Sequence, residues 1–191
     1  MLVRLAHKMT RDSIVDGPGL RAVIWTQGCR HNCKGCHNPA THDFNGGFFM
    51  DIDDISLELE TLKLNRGITF SGGEPFEQPL ECLEIAKKAK ELGLNVWCYT
   101  GYTFEELINT KGFRYKEGWI EFLKSIDVLI DGPFILEKKN LLLRFRGSEN
   151  QRILDVPKSL KLKMPALHED YHEIHIEEAA IASQPNFSKC I

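Results

Sequence analysis

"RAVIWTQGCRHNCKGCHN" (21–38) runs from an apolar, β-branched segment straight into a loop holding three of the chain's six cysteines. Residues 21–27 read as a buried strand. The loop "GCRHNCKGCHN" (28–38) sets its thiols at Cys29-x3-Cys33-x2-Cys36, within eight positions, and Gly28 and Gly35 leave the backbone free to wrap around a metal. Thiolate-rich sites select zinc, copper(I) or iron–sulfur clusters. Zinc completes a tetrahedron with a fourth ligand, for which His31 or His37 is available. A four-iron cluster takes three cysteines on three irons and leaves the fourth iron open to a substrate. The spacing alone leaves both readings open.

Outward from this stretch, strand-like and helix-like segments alternate, the signature of an α/β domain with a mainly parallel sheet. "GITFS" (67–71), "LNVWCYT" (94–100) and "DVLIDG" (127–132) read as further strands. "MDIDDISLELETLKL" (50–64), with Asp51 as N-cap, and "PLECLEIAKKAKELG" (79–93), closed by Gly93, have helical spacing. "TFEELIN", opening on Thr103, and "GWIEFLKSI" are shorter helices, and "LLLRFRG" and "RILDVP" are candidate edge strands. The four better strands run into "GC", "SGGEP", "TGY" and "DGPF". In parallel α/β sheets these carboxyl ends share one rim, where ligands bind. A complete eight-stranded barrel takes about 250 residues, so the chain has room for about five or six βα units. The expectation is an incomplete, laterally open parallel (β/α) barrel with a short C-terminal tail.

The length of 191 residues and 42% hydrophobic content suit one core. A net charge of −3, spread in mixed sign, gives no basic stripe for nucleic acid. No apolar run has the length of a signal peptide or membrane span, so a cytoplasmic protein is expected. In that reducing compartment clustered cysteines read as metal ligands or redox groups. Cys82 and Cys98 sit in apolar-patterned segments as buried small hydrophobes, and Cys190 stands alone.

The second motif narrows the choice. Gly72 and Gly73 of "SGGEP" (71–75) let backbone approach a ligand, and Glu74 is placed to accept from an ammonium group. A Cys-x3-Cys-x2-Cys loop followed by Gly-Gly-Glu after the next strand resembles the radical S-adenosylmethionine superfamily. "DSIVDGPGLRAVIWTQGCRHNCKGCHNP" (12–39) is similar to its glycyl-radical-enzyme activating branch. "WCYTGYTFEEL" (97–107), "DVLIDGPF" (127–134) and "FRGSENQRILDV" (145–156) look most like the family that activates anaerobic ribonucleoside-triphosphate reductase. The family pattern commonly has an aromatic after the third cysteine, where this chain has His37.

The resemblance implies a core domain over 1–156, with 157–191 as a C-terminal extension of unknown role. It implies that Cys29, Cys33 and Cys36 hold a [4Fe–4S] cluster whose open iron binds S-adenosylmethionine. Gly72, Gly73 and Glu74 would line the methionyl end, Gly35, Cys36, His37 and Asn38 the adenine, and Asp131 with Gly132 the ribose. Reductive cleavage would give a 5′-deoxyadenosyl radical that takes hydrogen from a glycine of the reductase, with no catalytic residue beyond the cluster and cofactor site. The implied partners are the reductase and a low-potential electron donor such as flavodoxin or ferredoxin, with no nucleic acid or membrane. Two other readings stand beside it: an activase of another glycyl radical enzyme, of the pyruvate formate-lyase type, and a non-catalytic zinc-binding interaction protein.

Several segments have plain alternatives. "VDGPGLR" (15–21) is first a Pro-Gly turn. "RGSENQR" (146–152) serves equally as a solvated turn or as a partner-docking or closing element. "EKKN" (137–140) reads as an exposed turn. His168, His172 and His175 would share one face of a helix, yet a solvated tail is the better reading.

Overall fold

The structure, a computed structural model, describes residues 1–171. Its strands are β1 (Leu2–Leu5), β2 (Thr10–Ser13), β3 (Arg21–Thr26), β4 (Phe48–Asp51), β5 (Gly67–Gly72), β6 (Asn95–Tyr99), β7 (Val128–Asp131) and β8 (Arg152–Asp155). The helices are α1 (Ile52–Glu60), α2 (Pro79–Glu91), α3 (Phe104–Ile108), α4 (Trp119–Ser125) and α5 (Val156–Leu162). They form one sheet of order β4-β1-β3-β5-β6-β7-β8, with β2 also on β3. Contacts β3–β5, β5–β6 and β6–β7 are parallel, and the pairs flanking them are antiparallel. The parallel strands follow chain order, as in a singly wound barrel, and the end strands β4 and β8 are not paired with each other. The open partial barrel is therefore present with four parallel strands, fewer than the five or six units that length suggested.

Alternation along each strand assigns the two faces. Ala22, Ile24, Ile68, Phe70, Val96, Cys98 and Leu129 pack in one core with Ile55 and Leu59 of α1 and Cys82, Ile85, Ala86 and Ala89 of α2. The α2 set falls at i, i+3, i+4 and i+7, the buried stripe of an amphipathic helix. Both lone thiols, Cys82 and Cys98, are fully buried as expected. Trp119 closes this layer, its ring against Phe76, Tyr102 and Tyr115 and its Nε1 donating to the Phe76 carbonyl at 2.7 Å. The opposite face carries a smaller cluster of Trp97, Val128, Ile130 and Ile153, with Tyr99 and Phe145 beside it.

Most expected elements occur within a residue or two of their sequence limits. Asp51 caps α1 by accepting from the Asp53 amide, but residues 48–51 before it form β4 and pair with β1. Thr103 opens α3 in a capping box with Glu106, and Gly93 follows α2 in a left-handed conformation (φ +75°). "LLLRFRG" forms no strand, and one isolated bridge, Lys139 to Ser148, closes that loop. The chain beyond residue 156 folds back through α5, and the Asp155 and His168 amides donate to Ala166 and Ile153 carbonyls. His168 rests against Tyr171, with ring centroids 4.6 Å apart. His172, His175 and Cys190 lie outside the described residues.

The "DGPG" turn wraps the floor of the inner face. Arg21 is fully buried there, stacked over Trp97, donating to Thr69 Oγ1 at 2.6 Å and Asn95 Oδ1 at 2.8 Å, with Ile68 O as a further acceptor. Burial lowers its pKa to about 10. Gly17 adopts φ +136°, and a Cβ there would lie 2.5 Å from Arg21 Cδ. Gly17→Ala is therefore expected to lower the free energy of unfolding by about 1–3 kcal/mol in denaturant titration. An unchanged midpoint and slope would show that the turn does not clamp Arg21.

Candidate active site

The cysteine loop leaves β3 at Gln27, whose buried amide donates to the Ala40 and Asp43 carbonyls and folds residues 28–43 back on themselves. Gly28 and Cys29 amides donate to Thr41 and His42 carbonyls, and Cys36 N to Cys33 O. The loop then locks onto the end of β5, where Gly73 N donates to Thr26 O at 2.7 Å and Glu74 N to Gly28 O at 2.9 Å. A Cβ on Gly73 would sit 2.6 Å from Gly28 O, so the contact requires glycine.

Two carboxylates complete the lock. Glu74 is buried, with Oε1 accepting from Phe76 N (3.0 Å) and Thr100 Oγ1 (2.8 Å), and Oε2 from Gly101 N (2.8 Å) and His31 Nε2 (3.0 Å). Burial pulls the His31 pKa down, but the hydrogen bond and charge of Glu74 outweigh it, so the net shift is upward. The Glu77 side chain, 1% exposed, pairs with Arg30 at 2.7 Å, accepts from Tyr102 Oη at 2.7 Å and meets Lys116 Nζ. Arg30 and His31, both between the first two cysteines, thus plug into the two acidic residues that follow β5. Composition gave no hint of Glu77; the two basic residues between cysteines were the one available signal.

The end of β7 is held from the other side. Asp131 is fully buried, accepting from Phe104 N (2.8 Å) and Arg152 Nε (2.9 Å), while Arg152 also bridges to Glu105. Gln151 Nε2 donates to Gly132 O, Asn150 Nδ2 to Pro133 O and Ile135 N to Ser148 Oγ. "RGSENQR" is therefore a buttress for "DGPF", in place of a solvated turn.

These strand ends enclose a cavity of about 490 Å³. Cys29, Cys33, Cys36, His37, Asn38, Gly72, Gly73, Glu74 and Gly132 all line it. Two further expected residues do not: Gly35 faces Leu136 on the outside, and the Asp131 carboxylate is spent on Arg152 and Phe104. Trp25, Tyr99, Phe134 and Phe145 supply aromatic wall that the sequence did not single out. His37 packs its ring 5.1 Å from Phe134, so the wall beside the third cysteine is aromatic although the residue after it is not.

The donor set fits a cluster. Burial, then Glu74, pushes the Cys29 thiol up to about 12, and burial also raises Cys33, so neither favours the thiolate until a cationic centre is present. The Asn38 N–H donates to the Cys36 sulfur at 3.4 Å, the kind of bond that tunes cluster ligands. Among the described residues no three His, Cys, Asp or Glu side chains converge on one ion. Zinc needs four ligands within about 2.3 Å of one point, whereas a cluster spreads its thiolates over separate irons. His31, the first candidate for a fourth zinc ligand, is committed to Glu74.

Three thiols wall a cavity at the rim of the sheet, and residues 15–154 match the family model of a 4Fe-4S single cluster domain, which makes this an iron–sulfur domain. Curated relatives share the anaerobic ribonucleoside-triphosphate reductase-activating protein name. The Vibrio cholerae protein is 33% identical, over 77% of this chain and 95% of its own length. Those of Escherichia coli K12 and phage T4 are each 33% identical, over 76% and 73% of this chain and 94% and 86% of theirs. The chain belongs to this family of activating proteins, which bears out the resemblance read from its motifs. No helix among the described residues is long and apolar enough to cross a membrane.

Glu77 links stability to pH. Burial raises its pKa, but bonds from Lys116, Tyr102 and Arg30 win and leave it below the ordinary 4.5. The stabilisation is present above about pH 4.5, the unfolded value, and is lost as pH falls through the lower folded value. Glu77→Gln is expected to cost about 1–3 kcal/mol at pH 7 and to flatten the acid limb of unfolding free energy against pH. A variant with the wild-type acid limb would remove Glu77 from the lock.

Proposed function

We propose that this chain activates an anaerobic ribonucleoside-triphosphate reductase by leaving a radical on one of its glycines, using a [4Fe–4S] cluster and S-adenosylmethionine. The observation that carries this reading is the placement of three thiols on the wall of a cavity closed by the glycine-bearing ends of β5 and β7. The name its relatives share favours the reductase over a pyruvate formate-lyase type of partner.

Cys29, Cys33 and Cys36 would each take one iron. The backbone of Gly72, Gly73 and Glu74 would receive the methionyl end, Cys36, His37 and Asn38 the adenine, and the Gly132 end of β7 the ribose, while the Glu74 carboxylate, already holding four donors, fixes its loop in place. Asp131 acts there as a support for that strand end, since its carboxylate is already engaged. When bound, the cofactor pair supplies one-electron cleavage of a sulfonium–carbon bond and removal of a hydrogen atom from a glycine Cα. The chain's own work is to bind, orient and shield. Glu74 is fixed by four donors before any ligand arrives, and Trp25, Tyr99, Phe134 and Phe145 give the cavity aromatic walls. No side chain has to move a proton. These groups lie within residues 1–156, which we take as the catalytic core, with 157–191 as an extension. The work belongs in the reducing cytoplasm, with a low-potential donor such as flavodoxin or ferredoxin supplying the electron.

The test is anaerobic reconstitution with iron and sulfide, reduction, and assay of 5′-deoxyadenosine in wild type and Cys33→Ala, followed by paramagnetic resonance with purified partners. Expected are iron-dependent product that the variant lacks and a glycyl radical on the reductase but not on pyruvate formate-lyase. Stoichiometric zinc, no iron–sulfur absorbance and no product would overturn the reading.

A further inference from the structure

The last residues of β3, β5 and β6 present a layer of side chains to the cavity just below the glycine-bearing rim. Trp25 pairs with Ser71 across the β3–β5 ladder, and because Phe70 pairs with Cys98, Ser71 and Tyr99 follow side by side on β5 and β6. All three line the cavity. The next position up is the Thr26–Gly72 pair, where the rim begins.

Most polar side chains of the wall are already engaged. Glu74 holds four donors, Trp25 Nε1 donates to Thr10 Oγ1, Gln151 bonds Gly132 O and the Gly147 amide, and Asp16 accepts from Ser13 Oγ. Ser71 and Tyr99 enter this network only through their carbonyls, which accept from Thr26 Oγ1 and Cys98 Sγ. Among the described residues their hydroxyls meet no donor or acceptor, and both side chains are partly exposed, so the oxygens are reached from the cavity. Burial, then the charge of Asp16, raises the Tyr99 pKa, so its phenol stays a donor at neutral pH. The cysteines aside, the other wall side chains with no hydrogen-bond partner among the described residues are His37, Asn38 and His42, which belong to the cysteine loop.

We infer that Ser71 and Tyr99 are specificity-determining residues for the protein substrate, their hydroxyls donating to main-chain carbonyls of the segment that carries the reacting glycine. The inference rests on the function proposed above. A glycine offers no side chain to recognise, so a site that selects one must read the peptide groups around it. Those groups are carbonyl acceptors and amide donors, and a serine and a phenol on strands about 4.8 Å apart each supply a donor. When a segment enters and displaces water, hydroxyls left without an acceptor carry a desolvation cost, which a main chain that meets them removes. Their place suits the role. The rim above them receives the cofactor in that reading, and the space on their side of the rim is what the cavity leaves for a second reactant.

The test uses the reconstituted full chain, dithionite, S-adenosylmethionine and a purified anaerobic ribonucleoside-triphosphate reductase whose glycines are deuterated at Cα. The quantity read is the ratio of deuterated to undeuterated 5′-deoxyadenosine, which reports how often the radical meets glycine and does not move when folded or cluster-loaded protein is lost. Tyr99→Phe and Ser71→Ala each remove one oxygen, and each is expected to lower the ratio by about threefold to tenfold. The double variant should fall further than either. A wild-type ratio in one single variant would strike that residue from the assignment, and in the double variant would overturn it while leaving the function intact. Weakened S-adenosylmethionine binding at a wild-type ratio would give the hydroxyls to the cofactor and overturn it likewise. Product without deuterium from the wild type, or no product, would overturn the function, and the inference with it.

Discussion

The contact between Gly28 and Gly73 is the constraint on which the site depends. Two neighbouring parallel strands end at the same height, and their exit loops exchange main-chain hydrogen bonds at a distance that no side chain could share. That contact fixes where the cysteine loop starts and where Glu74 points. Buried carboxylates are costly unless donors meet them. Glu74 and Glu77 each take one partner from the cysteine loop itself, His31 and Arg30, so residues between the ligands share in neutralising them.

The sheet explains why four loops converge. A singly wound order delivers β3, β5, β6 and β7 with their carboxyl ends on one rim, so the protein needs no long connection to assemble the cavity. Antiparallel strands finish both sides: β1 and β2 cover β3 in succession, and β8 covers β7. These flanks use chain that a full barrel would spend on further βα units, and they protect the edges of the parallel centre.

The parallel centre was legible because its strands are continuous apolar runs, the pattern that burial on both faces requires. The flanks were not. "TRDS" of β2 is polar and almost wholly exposed, and "FFMD" of β4 merges into the apolar rhythm of α1, so Asp51 read as a cap while the strand before it was missed. Conversely "LLLRFRG" has the composition of a strand, but Leu141 and Leu142 are exposed and no neighbour offers them an edge. In the site, the cysteines and Gly-Gly-Glu were readable from spacing. Glu77, Gln151 and the aromatic wall were not, since Glu77 meets Tyr102 25 residues on, Gln151 meets Gly132 19 residues back, and the wall gathers rings from separate segments. Asp131 stands at the expected strand end, but what its carboxylate bonds there was not legible. Its carboxylate faces Arg152 across the β7–β8 pair, a register that only the antiparallel edge strand supplies.

The same buttress ties the two walls of the cavity together. Gln151, Asn150 and Ser148 hold the backbone from Gly132 to Ile135, and that backbone carries Phe134 against His37 and Leu136 against Gly35. The segment therefore has an inner side that lines the cavity and an outer side that covers Gly35, so it meets the cysteine loop on both sides of Cys36. A load on either side is felt at the cysteine loop through contacts already made.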